Sequence, residues 1–153
     1  MKTYEDFSKD EFVENKIDVT CIGAFDGLHR GHIELIKKTK KVDNNYQIVT
    51  FNEIPKIYFD DNLKPLLDKK NRNNIFEEYK PTNLIYLKFD EINKLSANEF
   101  LKFLDININT NKIVVGKDFK FGKNRTGDVN NIINYFGEDN VILLEDYLIE
   151  NEK

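Results

Sequence analysis

The sequence is poor in residue types that mark several classes of protein. Its 153 residues include no tryptophan, one cysteine, one methionine, three prolines and two histidines. The lone Cys21 lies in the apolar run IDVTCIG, which predicts a buried structural thiol in a reducing compartment rather than a disulfide or a catalytic group. No apolar run reaches the length of a membrane span, and the start MKTYEDFSKDEF lacks the apolar stretch of a signal peptide. The net charge of -4 argues against a general binder of nucleic acids or acidic membranes, so we expect a cytoplasmic protein without such partners.

Apolar runs that suit buried strands alternate along the chain with patterns that suit amphipathic helices. The predicted strands cover residues 17–23, 46–51, 84–89, 112–116 and 141–144, and the predicted helices cover 31–41 and 68–79 and begin at Ser96 and Asp128. Alternation of this kind predicts an α/β fold: a Rossmann-like parallel sheet of about five strands with helices on both faces. In such sheets ligands bind beyond the carboxyl ends of the strands, at the switch point in strand order.

Two of the predicted helices carry capping signals. Ser96 and Glu99 have the spacing of a capping box, in which each side chain bonds the other residue's backbone amide. Asp128 is a good N-cap, and Gly137 is a suitable residue to end the helix that follows. We therefore expect helices to begin immediately after Ser96 and Asp128.

Both histidines lie in one four-residue window, between the first predicted strand and the first predicted helix. His29 and His32 are three residues apart at a helix start, a spacing that places both imidazoles on one face. Gly23 and Gly27 allow a sharp turn, and Gly31 leaves the backbone uncovered between the imidazoles. The helix N-terminus adds amide donors and a positive dipole end, which favour phosphate oxygens. A histidine in a turn is more often a solvated or capping residue, but this context favours phosphate binding.

Four segments resemble, in the same order, the characteristic blocks of one enzyme family. Residues 22–32 (IGAFDGLHRGH) resemble the HxGH signature of the nucleotidyltransferase superfamily. Residues 49–59 (VTFNEIPKIYF), Phe89 with 95–100 (LSANEF), and 115–128 (VGKDFKFGKNRTGD) resemble three blocks of the adenylyltransferase module of bacterial bifunctional riboflavin kinase/FAD synthetases. Four blocks in order make the resemblance much more specific than any one of them.

This resemblance implies an FMN adenylyltransferase, or FAD synthetase, that transfers AMP from ATP to FMN and releases pyrophosphate. It implies that His29 and His32 stabilise charge on the phosphates, with Mg²⁺ carried by ATP and no covalent enzyme intermediate. The residues that it implies for ATP binding are Gly23, Phe25, Asp26, Gly31, Asp118 and Arg125. The residues that it implies for flavin binding are Asn52, Pro55, Phe59 and Phe121.

Two groups of these residues also have a simpler interpretation. The cations between Lys117 and Arg125 suit a solvated surface, although their position after the fourth predicted strand makes an ATP-facing loop an equally good interpretation. Phe59 and Phe121 match aromatic residues that pack against the flavin in the family, but ordinary core packing explains either of them equally well.

The sequence departs from the family pattern in three respects. Asn52 and Ile54 stand where the family usually has aspartate and histidine, which predicts altered or weakened contacts on the flavin side. The chain also ends near the place where the family has an ISSTxIR segment that supplies phosphate donors. We therefore expect residues 1–153 to be one nucleotidyltransferase domain without that segment and without a riboflavin kinase module. We expect this domain to bind ATP but to turn over weakly.

Two alternative functions stay open on the sequence. One is a sibling transferase, such as a cytidylyltransferase, that acts on another phosphorylated acceptor; the GxDFxFG block, typical of the flavin enzymes, argues against it. The other is a module that binds a nucleotide or a flavin without catalysis, which the changes at Asn52 and Ile54 favour. The oligomeric state does not follow from the sequence.

Overall fold

Six parallel strands form the sheet of the computed structural model, which describes residues 1–25, 28, 30–52 and 69–145. In chain order the strands are β1 (Lys2–Phe7), β2 (Val19–Ile22), β3 (Tyr46–Phe51), β4 (Asn83–Leu87), β5 (Lys112–Gly116) and β6 (Val141–Leu144). They are arranged in the order β1-β4-β3-β2-β5-β6. Strands β2, β3 and β4 are buried along their whole length, as continuous and largely apolar runs predict for strands covered on both faces.

Helices cover both faces of the sheet. They are α1 (Arg30–Val42), α2 (Lys69–Glu78), α3 (Phe89–Ile92), α4 (Ala97–Ile106) and α5 (Val129–Phe136). Helices α1 and α2 pack over one face through Ile36 and Phe76. Helices α4 and α5 pack over the other face through Phe100 and Ile132. Since successive residues of a strand point to opposite faces, each strand contributes alternate side chains to the two cores.

The structure confirms the predicted fold class and adds one strand to it. All five predicted strands are present, with bounds that match or shift by one or two residues. The sequence does not predict β1, because its residues KTYEDF are mostly polar and mostly exposed. β1 lies at the edge of the sheet, where a strand is less completely covered and carries a weaker apolar signal.

The two predicted helix caps are present. Ser96 Oγ accepts a hydrogen bond from the Glu99 amide at 3.1 Å, and the Glu99 carboxylate accepts one from the Ser96 amide at 2.9 Å. The Asp128 carboxylate accepts from two backbone amides of α5, and Gly137 follows the helix with a φ of 95°. Helices that connect parallel strands begin near the carboxyl ends of the strands, so both caps stabilise the sheet edge at which this fold class binds ligands.

The strand order reverses at β2. From β2 the chain passes through α1 to β3 on one side, whereas β5 pairs with the other side of β2. The connections that leave β2 and β5 therefore diverge and open a crevice at the carboxyl ends of these two strands. Such a crevice is where open parallel sheets bind their ligands.

Candidate active site

Three of the segments singled out in the sequence follow three neighbouring strands. The chain leaves β3 at Asn52, β2 at Gly23 and β5 at Lys117, and these strands lie side by side. Because the strands are parallel, the three exits lie at one edge of the sheet. The described residues of the HxGH segment and the loop after β5 thus follow the two strands that flank the switch point, and Asn52, at the start of the expected flavin segment, follows the next strand. Four of the predicted site residues lie outside the described residues: Asp26, His29, Pro55 and Phe59.

Phe25 is a buried residue of the segment that follows β2. The residue is 1% exposed, and its ring meets the rings of His32 and Phe76 edge to face, with centroids 5.5 and 5.4 Å away. Its φ of 55° is left-handed, which is strained for a bulky residue. A Cβ at Gly23 would come within 3.3 Å of the same ring, so the glycine leaves room for it. The Phe25 ring therefore holds His32 against α2, and the contact of Phe25 with ATP stays a prediction.

His32 lies in the first turn of α1, which begins at Arg30. Gly31, the second residue of the helix, is buried and places no side chain over the backbone. The first turn contains no acidic residue. Lys40 and Lys41 lie in the last turn, where the negative end of the helix dipole stabilises their charge. Since no carboxylate of the first turn offsets the positive end, this end of α1 suits a phosphate.

The segment after β5 folds into a closed loop. Phe121 and Gly127 exchange both backbone hydrogen bonds, at 3.1 and 2.8 Å. Between them the backbone takes left-handed φ values at three residues, among them Gly122. The Lys123 amide, near the tip, donates to the carbonyl of Leu95 at 2.7 Å. These bonds hold the loop against the start of α4.

The same loop presents cations to solvent. Between Lys117 and Arg125 there are four cations and one carboxylate, that of Asp118, and all of these residues are exposed. Glu145 Oε2 lies 4.0 Å from the Lys117 ammonium group and offsets part of this charge. At the switch point such a group of cations attracts an anionic ligand. Asp118 and Arg125 are therefore exposed at the edge where ligands of this fold bind, and their contact with ATP stays a prediction.

Phe121 lies in the apolar core, as one of its two interpretations expects. It is 5% exposed, and its ring packs against Phe100 at 5.1 Å and Phe119 at 5.7 Å. A Cβ at Gly127 would lie only 2.5 Å from the Phe121 ring, so the loop closes around this side chain. The ring thus has a structural role in the loop, and its contact with the flavin stays a prediction.

Asn52, the residue after β3, uses both ends of its side-chain amide within the protein. Its Nδ2 donates to Asp6 Oδ1 at 2.5 Å, and its Oδ1 accepts from the Phe89 amide at 3.1 Å. Beside it, the buried Arg72 donates from Nη2 to the carbonyl of Phe51 at 3.2 Å. The sequence does not single out Asp6, which lies in the strand it does not predict, or Arg72, which lies in a very polar helix. The direct contact of Asn52 with the flavin stays a prediction.

Cys21 is a buried structural residue, as the sequence predicts. It is 0% exposed, and burial raises the pKa of its thiol to about 12, so the reactive thiolate does not form at neutral pH. Elsewhere within the described ranges, no three histidine, cysteine or acidic side chains come together as a metal site.

A sequence model of the FAD synthetase family matches residues 10–152. The chain belongs to the FAD synthetase family. It is 33% identical over 128 residues to a bifunctional riboflavin kinase/FMN adenylyltransferase from Buchnera aphidicola subsp. Acyrthosiphon pisum, a match that covers 76% of this chain and 40% of that protein. It is 29% identical over 127 residues to an FAD synthetase from Listeria monocytogenes, covering 76% of this chain and 50% of that protein. The chain spans about half the length of the curated relatives that it matches.

Two solved structures of other proteins are similar to this member of the family. A macrolide-efflux protein from Streptococcus pneumoniae has a TM-score of 0.77 and 26% identity, over 95% of this chain and 50% of that one. A lipopolysaccharide core biosynthesis protein from Thermoplasma volcanium has a TM-score of 0.50 and 19% identity, over 86% of this chain and 94% of that one, and shares the fold alone. In the part of this chain that the structure describes, no helix has the length and apolar character needed to cross a membrane.

Proposed function

We propose that this chain transfers AMP from ATP to FMN, giving FAD and pyrophosphate. One observation carries the proposal, in a chain of the FAD synthetase family. The HxGH segment and the loop of residues 117–127, which we call the cationic loop, follow the two strands that flank the switch point. The first segment contributes His32 and the N-terminus of α1, and the second contributes exposed cations. The expected flavin segment leaves the neighbouring strand, so both substrates have a binding segment at the same edge.

The proposed reaction joins two phosphates and breaks one bond. An oxygen of the FMN phosphate attacks the α-phosphorus of ATP, and the bond from that phosphorus to the pyrophosphate oxygen breaks. No protein group needs to form a covalent bond, so the task of the chain is to align the phosphates and offset their charge. We assign His32 and the amides of the first turn of α1 to the phosphoryl oxygens, and Lys120 and Arg125 to the leaving pyrophosphate.

Mg²⁺ enters the proposal as part of the MgATP substrate. The ion usually binds through substrate phosphates together with only one or two carboxylates, and keeps several waters. Bound in this way, it neutralises charge on the triphosphate during the transfer. We extend the proposal to the cytoplasm as the location, since MgATP is available there.

Formation of FAD and pyrophosphate from FMN, ATP and Mg²⁺ tests the proposal. His32→Ala should lower the rate by about 10²–10³-fold, because one donor to the charged phosphates is lost. The melting temperature should stay close to that of the parent chain. Lys41→Ala removes a cation from the other end of the same helix and should leave the rate unchanged.

The other results of this experiment point to specific alternatives. A large loss of stability with an unchanged specific activity would make His32 structural. Pyrophosphate released only with another phosphorylated acceptor would indicate a sibling transferase. Binding of ATP and FMN without any pyrophosphate would indicate a module without catalysis.

A further inference from the structure

Hydrogen bonds from four elements hold the end of β3. The carbonyl of Phe51 accepts from Arg72 Nη2 of α2 at 3.2 Å, and the backbone amide of Asn52 donates to a carbonyl of β4 at 2.9 Å. The Asn52 side chain donates to Asp6 of β1 at 2.5 Å and accepts from the Phe89 amide of α3 at 3.1 Å. We call these five residues the β3 junction. It lies directly before residues 53–59, the segment expected to bind the flavin.

Asp6 reaches the β3 junction through an irregularity in β1. Tyr4 and Phe7 of β1 pair with residues of β4 that are only two positions apart, so β1 carries one extra residue there. Within this bulge Asp6 has a φ of 46°, a left-handed conformation that costs free energy in a residue other than glycine. Bulges often re-aim a side chain. Here the bulge brings the carboxylate of Asp6 to the side-chain amide of Asn52.

Arg72 brings a buried charge to the same place. The residue is 3% exposed, and its guanidinium carbon lies 5.8 Å from the centroid of the Tyr86 ring. Burying a charged group costs free energy unless its hydrogen bonds offset the loss of water, and an apolar residue would avoid that cost. The carboxylate of Asp6, whose backbone is strained, and the buried guanidinium of Arg72 therefore bond two adjacent residues, Asn52 and Phe51. Strain of this kind collects at functional sites more than elsewhere.

Among polar side chains of this size, only an amide fits the β3 junction as it is built. Asn52 donates to a carboxylate and accepts from a backbone N–H at the same time. An aspartate there has no proton to donate at neutral pH, and its carboxylate would face that of Asp6 at hydrogen-bond distance, where like charges repel. The arrangement is also reversible. Exchanging the amide and the carboxylate between positions 6 and 52 would remake the bond between these two side chains with donor and acceptor swapped, and the Phe89 amide would still donate to the oxygen at position 52.

We propose that Asp6 is a positioning residue for the flavin side of the site. It acts through Asn52, and fixes the direction in which the chain leaves β3, directly before the segment expected to bind the flavin. Arg72 supports the same end of β3 through the carbonyl of Phe51. The inference rests on the proposed function, because the affinity for FMN is the property that Asp6 controls.

Exchange of the two side chains tests this inference in the full chain. Asn52→Asp should raise KM for FMN by about tenfold, the effect of about 1.4 kcal/mol, with KM for ATP nearly unchanged. Adding Asp6→Asn to Asn52→Asp should restore KM for FMN to near the parent value. Quenching of flavin fluorescence measures FMN binding independently of turnover. The matched control is Glu14→Ala, which removes another exposed carboxylate beside β1. Glu14 pairs with Lys2 at 2.7 Å, and its loss should change neither KM.

Each contrary result has its own meaning. If Asp6→Asn does not restore FMN binding to Asn52→Asp, then Asn52 does not act through Asp6, and the inference is overturned. Equal increases of KM for both substrates, or a lower melting temperature with unchanged KM values, would make the β3 junction merely structural and overturn it as well. If the parent chain neither forms FAD nor quenches flavin fluorescence, the proposed function fails, and this inference fails with it. If the parent forms FAD and Asn52→Asp alone already leaves KM for FMN unchanged, only this inference fails.

Discussion

Gly127→Ala tests how firmly the cationic loop is held, because the added methyl group would clash with the Phe121 ring. The added Cβ would lie 2.5 Å from Cε2 of Phe121 and 2.7 Å from two other ring atoms. Non-bonded carbons prefer separations of about 3.5–4.0 Å, so the ring or the backbone must move by about 1 Å. The ring has little room to do so, since it is 5% exposed and packs between Phe100 and Phe119.

The clash can be relieved in two ways, and the cost is similar for both. Forcing extra volume into a packed core costs about 1–3 kcal/mol. Opening the backbone bridge instead gives up the two hydrogen bonds between Phe121 and Gly127, each contributing about 0.5–1.5 kcal/mol. For a chain of this size about 1 kcal/mol lowers the melting temperature by about 2–4 °C. We therefore expect Gly127→Ala to lower the melting temperature by about 2–12 °C.

Thermal and urea unfolding, followed by circular dichroism, measure this effect. Gly116→Ala is the matched control, because a Cβ at Gly116 at the end of β5 would meet nothing within 4 Å. Its free energy of unfolding should stay within about 0.5 kcal/mol of the parent value. If the two glycine variants unfold at the same temperature, the Phe121 ring is not held in place. The reasoning that assigns it a structural role in the loop is then refuted.

Two further predictions concern groups buried under the site. Phe25→Leu should lower the rate of FAD formation by about tenfold, because His32 loses the ring that it packs against. Phe76→Leu, the control, alters the other contact of the Phe25 ring. It should lower the melting temperature by a comparable amount but the rate by less. Burial raises the pKa of Cys21 from an ordinary 9.0 to about 12, so the stability that this group contributes is fully present below pH 9 and is lost as the pH rises towards 12. Cys21→Ala should flatten the fall of the unfolding free energy at alkaline pH, measured by urea unfolding between about pH 8 and pH 11. An unchanged slope would instead assign the fall to buried tyrosines such as Tyr86, because burial also raises the pKa of Tyr86 to about 12.

The strands at the centre of the sheet can be predicted from the sequence because burial acts on every residue of them. In β3, YQIVTF, all six side chains are buried, so the run is recognisable without any knowledge of its neighbours. Strand β1, KTYEDF, pairs only with β4 at the edge and buries only Phe7 fully, so its sequence carries no comparable pattern. The caps at Ser96 and Asp128 can be predicted for a different reason: their hydrogen bonds are local, between residues two or three positions apart.

A motif places its residues in the right part of the fold, but it does not say which way each side chain faces. Phe25 and Phe121 both belong to segments that resemble nucleotide and flavin blocks, and both rings lie in the core. What turns them inward is the packing of distant residues, Phe76 for one and Phe100 for the other. Since these partners are 51 and 21 positions away in the sequence, no local pattern encodes the contact.

At Asn52, too, the motif does not show what the side chain contacts. Against the family pattern, an asparagine here predicts a weakened contact with the flavin. In the structure its amide is needed elsewhere, because it meets a carboxylate 46 positions away that a bulge and a left-handed residue bring into reach. A substitution within a motif therefore has to be interpreted together with the side chain that contacts it. For Asn52 that side chain belongs to the one strand that the sequence does not predict, and the exchange of Asp6 and Asn52 measures whether the pair, rather than either residue alone, sets the affinity for FMN.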